Sequence, residues 1–159
     1  MKVRVVYDSV FGNTEQIARA IGNALAAHNE VEISAVGAVQ PEQLGDSELL
    51  VIGSPTRAFR PTPALTKLLK TIPKNGLDGV RVAAFDTRIS TADINSRALS
   101  VMVKLFGYAA APIAKRLQNR GGELIVAPAG FFVQNTEGPL REGELERAAK
   151  WAQRIIATL

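Results

Sequence analysis

The chain has 159 residues, 47% of them apolar and 21% charged, with a formal net charge of +4. A chain of that length buries a substantial core without metals or disulfide staples, and it points to one domain spanning residues 1–159. It has no cysteine, which excludes disulfides, thiolate metal sites and cysteine nucleophiles, and no apolar run approaches the roughly 18 to 20 residues that span a bilayer. Lys2 opens directly into a strand rather than a signal peptide, so the expected location is the cytoplasm.

The first element is the apolar run Val3 to Tyr7, read as a strand. Tyr7-Asp8-Ser9-Val10-Phe11-Gly12-Asn13-Thr14 joins it to an amphipathic stretch, Glu15 to Ala27, in which Ile17, Ala18, Ile21, Ala24 and Leu25 share one helical face. Ser9, Asn13 and Thr14 offer side-chain donors there, Gly12 lets the backbone turn, and the new helix leaves its first N–H groups unpaired. An anion fits such a place, and the helix dipole favours it by roughly 0.3 to 1 kcal/mol. The same residues also suit an ordinary turn, with Asn13 as the cap and Gln16 reaching back to it. His28, the single histidine, falls near the end of this helix, where a surface cation complements the dipole.

Val31, Ile33 and Ala35 alternate with polar neighbours, as in a partly exposed second strand, and Gly37 to Gly45 is a loop. Glu48 to Gly53 is continuously apolar after its first residue, the pattern of a central parallel strand covered on both faces. The proline-rich loop Ser54 to Pro61 follows. Thr62 then caps a helix with Pro63 in its first turn and Leu65, Leu68, Leu69 and Ile72 as its buried stripe. Val80 to Phe85 is a fourth strand, ending at Asp86-Thr87-Arg88.

From Ile89 to Tyr108 the connection is long, and the spacing of Leu99, Met102, Val103 and Phe106 predicts an extra helix. Gly107 ends it, and another starts at Ala111-Pro112, buries Ile113, Ala114 and Leu117, and closes at Gly121-Gly122. Leu124 to Ala127 is a fifth strand, with Phe131-Phe132-Val133 as a short continuation. The last helix places Glu142, Glu144 and Glu146 early and Arg154 late, as the dipole prefers, with Leu145, Ala149, Ala152 and Ile156 expected on its buried face and Trp151 in or near the core. There is no repeat, linker or low-complexity tract.

Five strands alternating with helices imply right-handed crossovers and a doubly wound α/β sandwich around a parallel sheet. Ligands of such sheets sit at the carboxyl ends of the strands, beside the reversal in strand order. Three loops of unusual chemistry, Asp8 to Thr14, Ser54 to Pro61 and Asp86 to Ser90, follow strands one, three and four at that edge. The first supplies phosphate donors; the second supplies Thr56, Arg57 and Phe59, a hydroxyl, a cation and an aromatic ring. A phosphorylated aromatic cofactor requires such a combination.

These loops resemble those of the flavodoxin-like FMN-binding proteins, and the resemblance covers essentially the whole chain. The family's phosphate loop, [ST]-x-T-G-x-T, stands here as Ser9-Val10-Phe11-Gly12-Asn13-Thr14, with Phe11 replacing the middle threonine. That replacement removes one hydroxyl donor, a loss of about 1 kcal/mol for a neutral hydrogen bond. Gly53-Ser54-Pro55-Thr56-Arg57-Ala58-Phe59 is similar to the corresponding segment of the quinone-reductase branch, which implies that Pro55, Thr56 and Arg57 line the flavin ring and that Phe59 packs against it. Asp86, Thr87 and Arg88 occupy the flavin-contacting loop after strand four, without the stacking tyrosine of carrier flavodoxins. The resemblance implies a three-layer sandwich with a five-stranded sheet in the order 2-1-3-4-5, FMN as cofactor, and no metal.

The implied function is a redox protein that uses the flavin's own chemistry, either passing electrons to a partner protein or using NAD(P)H to reduce a small, quinone-like acceptor. Catalytic side chains are not identified by the sequence. Carrier flavodoxins are acidic and this chain is basic, most of all between Arg88 and Arg120, where only Asp93 offsets Arg97, Lys104, Lys115 and Arg116. Arg57 and Arg88 beside the ring favour a negatively charged reduced flavin, which raises its potential by about 59 mV per tenfold in relative binding for one electron. The apolar face of the 89–108 insertion suits a flavin cover, a core filler or a homodimer contact. The alternative is a flavodoxin-like domain that has lost FMN and acts by protein contact. A response-regulator receiver shares the topology, but Gly53-Ser54 stands where its phosphorylated aspartate belongs. No nucleic-acid-binding signature is present.

Overall fold

The computed structural model describes residues 1–90 and 96–159. Asp93 lies outside the described residues, as do the side chains of Leu99 and Phe106. The elements in chain order are β1 (Lys2–Tyr7), α1 (Asn13–Leu25), β2 (Glu30–Ala35), a 3-10 turn (Val36–Ala38), α2 (Glu42–Gly45), β3 (Leu49–Pro55), α3 (Pro63–Thr71), β4 (Arg81–Ile89), α4 (Arg97–Phe106), α5 (Ala110–Asn119), β5 (Glu123–Leu124), β6 (Ala129–Val133) and α6 (Glu144–Ala157). The extra helix expected within 89–108 is α4.

The sheet is parallel throughout and runs β2-β1-β3-β4-β5, with β6 also paired to β4. The order is the expected one, and the fifth position is shared by two strands in line. β5 pairs Arg81 and Val82 of β4, whereas β6 pairs Phe85 through Ile89. The Phe131-Phe132-Val133 continuation is therefore present, and the first part of the fifth strand is shorter than the expected Leu124 to Ala127. Pairing with β6 also extends β4 to Ile89, so Asp86, Thr87 and Arg88 belong to a strand rather than to a loop.

Each face of the sheet carries one helix layer. Val6, Leu50, Ile52, Val82 and Ala84 meet Leu65, Leu68 and Leu69 of α3 and Ile113, Ala114 and Leu117 of α5. Val5, Tyr7, Val51, Ala83 and Phe85 meet Ile17, Ile21 and Leu25 of α1 and Ala148, Trp151, Ala152 and Ile155 of α6. Alternation along the buried strands divides the core in this way. β3 is buried from Leu49 to Ser54, as its continuous apolar run requires. Thr62 caps α3 by accepting from the Leu65 N–H, and Pro63 is its first residue.

The face of α6 differs from the expected one. Ala148, Trp151, Ala152 and Ile155 are buried while Leu145 is exposed. The indole of Trp151 seats edge-on against Phe85 and Phe131, with ring centroids 6.2 Å apart in both pairs, and this large contact sets the rotation of the helix. Glu144 is buried because its Oε2 accepts from the Phe132 N–H at 2.6 Å on the open side of β6, while it also pairs with Arg147.

Gly53 on β3 leaves room for the Phe85 ring, which a Cβ there would strike directly. Phe85 is fully buried against Phe131 and Trp151 and has nowhere to move. Gly53→Ala is expected to lower the unfolding free energy by about 1–3 kcal/mol through overpacking, read as a lower urea midpoint.

Candidate functional site

The turn after β1 is shaped by Ser9 and Gly12. Gly12 occupies the cap position of α1 in the left-handed region, with φ 91°, which a glycine adopts without strain. The Ser9 hydroxyl oxygen accepts from the Gly12 N–H at 3.1 Å and the Glu15 N–H at 3.3 Å. Asn13 is thus not the cap that the sequence suggests. It is the first helical residue, and its amide nitrogen donates to the Glu137 carbonyl at 3.0 Å, tying the turn to the segment after β6. The backbone N–H groups of Val10, Phe11, Asn13 and Thr14 meet no acceptor among the described residues.

The ends of β3 and β4 close the other side. Thr14 and Thr87 share a hydrogen bond between their buried hydroxyls at 2.8 Å. Two hydroxyls hold two protons and this bond uses one, so the pair keeps one to donate elsewhere. The Thr56 N–H donates to the Thr87 carbonyl, and its hydroxyl oxygen accepts from the Ala109 N–H at 3.0 Å, at the start of α5. Arg57 and Arg60 then bond each other's backbone across a two-residue turn formed by Ala58 and Phe59, at φ 47° and 67°. Such a turn favours asparagine and glycine; its use by alanine and phenylalanine stores backbone strain at the rim of the site.

Asp86 is fully buried behind this wall. It accepts from Arg88 through both oxygens, at 2.6 and 2.7 Å, and from the Ala110 N–H at 2.8 Å. Burial raises its carboxyl above the usual value, against the hydrogen bonds and charge of Arg88 and the Ala110 N–H, which lower it. The Arg88 guanidinium lies 3.8 Å over the Tyr108 ring, in space left by the missing Cβ of Gly130. Tyr108, the last residue of the 89–108 insertion, donates its hydroxyl to the Ile89 carbonyl at 3.2 Å.

Between these walls is a cavity of about 230 Å³ at the carboxyl edge of the sheet. Of the residues expected from the sequence, Ser9, Val10, Phe11, Asn13, Thr14, Pro55, Thr56, Arg57, Thr87 and Arg88 line it. Gly12 shapes the turn without lining the cavity, and Asp86 lies beneath it as an anchor. Phe59 faces a neighbouring depression, because the Ala58-Phe59 turn carries it past the rim. Ala58, Ile89, Val133 and Thr136 complete the lining. The position of Val133 and Thr136 follows from the strand-end rule once β6 is recognised as part of the sheet.

The lining chemistry decides what fits. Among the described residues no carboxylate lines the cavity, whereas unpaired N–H groups, a Ser9 proton, one threonine proton and two arginines do. Such a lining suits a phosphate at a helix N-terminus, and Pro55, Val10, Phe11, Ile89 and Val133 add apolar surface that suits a flat ring. Phe11 replaces a hydroxyl, yet its ring is 45% exposed and faces the Arg57 guanidinium at 5.7 Å, and its backbone N–H remains available. FMN fits the residues present.

A family model described as a flavodoxin domain matches residues 4–136. The chain belongs to the flavodoxin family. FMN is the cofactor that this membership implies. The fold matches oxidised flavodoxin 1 from Bacillus cereus with a TM-score of 0.80 at 16% identity, covering 100% of this chain and 99% of that one. A flavodoxin from the domain Archaea gives 0.73 at 22% identity over 99% of each chain. Rubredoxin oxygen:oxidoreductase from Desulfovibrio gigas gives 0.72 at 22% identity, with 99% of this chain matched to 36% of that one. At these identities the likeness is one of fold. No curated protein matches the sequence.

Proposed function

We propose that the chain, acting as a single flavodoxin-like domain over residues 1–159, binds FMN in this cavity and carries electrons between partner proteins in the cytoplasm. When bound, FMN supplies the redox chemistry of its ring. The turn after β1, with Ser9 and the Thr14–Thr87 pair, holds the phosphate, and Pro55, Thr56 and Arg57 border the ring. Arg57 is exposed and pairs with no carboxylate among the described residues, so no counter-charge at contact distance offsets it there. The charge of Arg88 is opposed by Asp86 at contact distance, so Arg57 is the stronger influence on the flavin's potential.

The observation that favours electron transfer over catalysed reduction is the make-up of the lining. Among the described residues, no Asp, Glu or His borders the cavity to take up or deliver a proton. No helix among the described residues is long and apolar enough to cross a membrane. FMN titrated into apoprotein is expected to lose its fluorescence at one equivalent, and the loaded protein to stay yellow under anaerobic NADH or NADPH. Rapid bleaching by either nucleotide would support the reductase form. A colourless protein that leaves FMN fluorescence unchanged would support the reading in which Phe11 marks loss of the cofactor.

A further inference from the structure

Charge is divided unequally along the chain. Residues 49–77, which hold β3 and α3, contain Arg57, Arg60, Lys67, Lys70 and Lys74 and no acidic residue. Residues 96–122, which hold α4 and α5, contain five more cations, including Arg97, Lys104 and Lys115, and again no acid. α3 and α5 cover one face of the sheet. The nine other cations share the rest of the chain with all fifteen acids. The ion pairs of the described residues lie elsewhere, at Arg4, Arg19, Arg88, Arg147 and Lys150.

Beside the cofactor cavity, residues from these two stretches, Ala58, Phe59, Arg60, Met102 and Pro112, line an apolar depression of about 520 Å³. Ala58 lines both, so whatever fills the depression sits against the wall of the cofactor site. Met102 and its neighbour Val101 are exposed on α4. An apolar centre within a charged rim is the anatomy of a protein interface.

We propose that this face docks an acidic electron-transfer protein, with its carboxylates against the lysines and arginines of α3, α4 and α5 and an apolar side chain in the Phe59–Met102–Pro112 depression. The purpose of the docking rests on the FMN reading above; the charge and location of the partner do not. A second copy of the chain would oppose like charges across the interface, and a nucleic acid would meet the cations while leaving the apolar depression unfilled.

The test is a titration of the 15N-labelled protein, with and without FMN, by an acidic [2Fe–2S] ferredoxin. Resonances of the 57–70 and 97–116 segments are expected to shift or broaden in both forms. Binding is expected to weaken about tenfold or more between roughly 20 and 200 mM salt, as screening shortens the reach of exposed charges. Lys67→Glu with Lys104→Glu is expected to weaken it about tenfold at low salt, while Lys150→Glu on α6 leaves it unchanged; equal urea midpoints confirm that the variants are folded. If FMN fails to bind while the ferredoxin still engages this face, the cofactor reading fails and the docking surface stands. No change in the spectrum, changes confined to α1 and α6, tighter binding of a DNA duplex to the same residues, or self-association abolished by Lys104→Glu would each overturn the proposal.

Discussion

Replacing Asp86 with alanine is expected to lower the unfolding free energy by about 3 kcal/mol. The carboxylate is fully buried and receives three donors, two from Arg88 and one from the backbone of Ala110. Alanine leaves the Ala110 N–H without its acceptor inside the protein and the Arg88 guanidinium, only 20% exposed, without its counter-charge. The pair's net contribution to stability is much smaller than the cost of breaking it, because desolvation offsets the attraction between the partners. Asp86→Leu combined with Arg88→Met is therefore expected to recover much of the loss, and a double-mutant cycle in urea reads the difference. A full 3 kcal/mol loss in the double variant would mean that the pair stabilises the fold outright.

The pH dependence has a definite sign. Burial raises the folded-state carboxyl above its unfolded value, so the unfolded chain gives up this proton at lower pH than the folded chain does. Between the two values unfolding releases a proton. Asp86's contribution is therefore full below about pH 4, declines as pH rises through the folded value, and is constant above it. The stability difference between wild type and Asp86→Asn, followed upward from pH 4, is expected to shift against wild type. A shift in its favour would show that Arg88 outweighs burial.

The sheet order and the three strand-end segments were legible because they follow from local signals, namely apolar runs, glycine turns and proline-capped helices, read through a rule about parallel sheets. What was not legible depended on pairing partners distant in sequence. Asp86 looks like the start of a loop because a charged residue follows four apolar ones, Val82 to Phe85. It belongs to β4 because Gly130 of β6 lies beside it, and it tolerates burial because Arg88 and α5 meet it there. The rotation of α6 was similarly ambiguous, since Leu145 and Ala149 satisfy a helical period as well as Ala148 and Ile155. The Trp151 seat between Phe85 and Phe131 resolves it. Asn13 has a capping side chain, but Gly12 takes the cap geometry and leaves that side chain for Glu137. The docking face needed both levels: its acid-free stretches are visible in the sequence, and only the packing of α3 with α5 brings them together.

FMN binding is expected to respond non-additively to the two buried threonines. Thr14→Val removes one hydroxyl and leaves Thr87 free to donate its own proton into the cavity, while Thr87→Val leaves Thr14 free to do the same. Each single substitution should weaken FMN only a few-fold. The double substitution removes the shared donor, and one hydrogen bond to a charged oxygen is worth about 1.5–3 kcal/mol, or roughly 10- to 150-fold in Kd. Adding Ser9→Ala should deepen the loss, because Ser9 provides a further hydroxyl and holds the Gly12 and Glu15 N–H groups in place. Riboflavin, which has the same ring and no phosphate, is the internal control: its affinity should be nearly the same in wild type and in the double variant. Equal losses for FMN and riboflavin would place the threonines against the ring rather than the phosphate. A double variant no weaker than either single would mean that the phosphate is held without the threonines, by Ser9 and the backbone N–H groups of Val10, Phe11, Asn13 and Thr14.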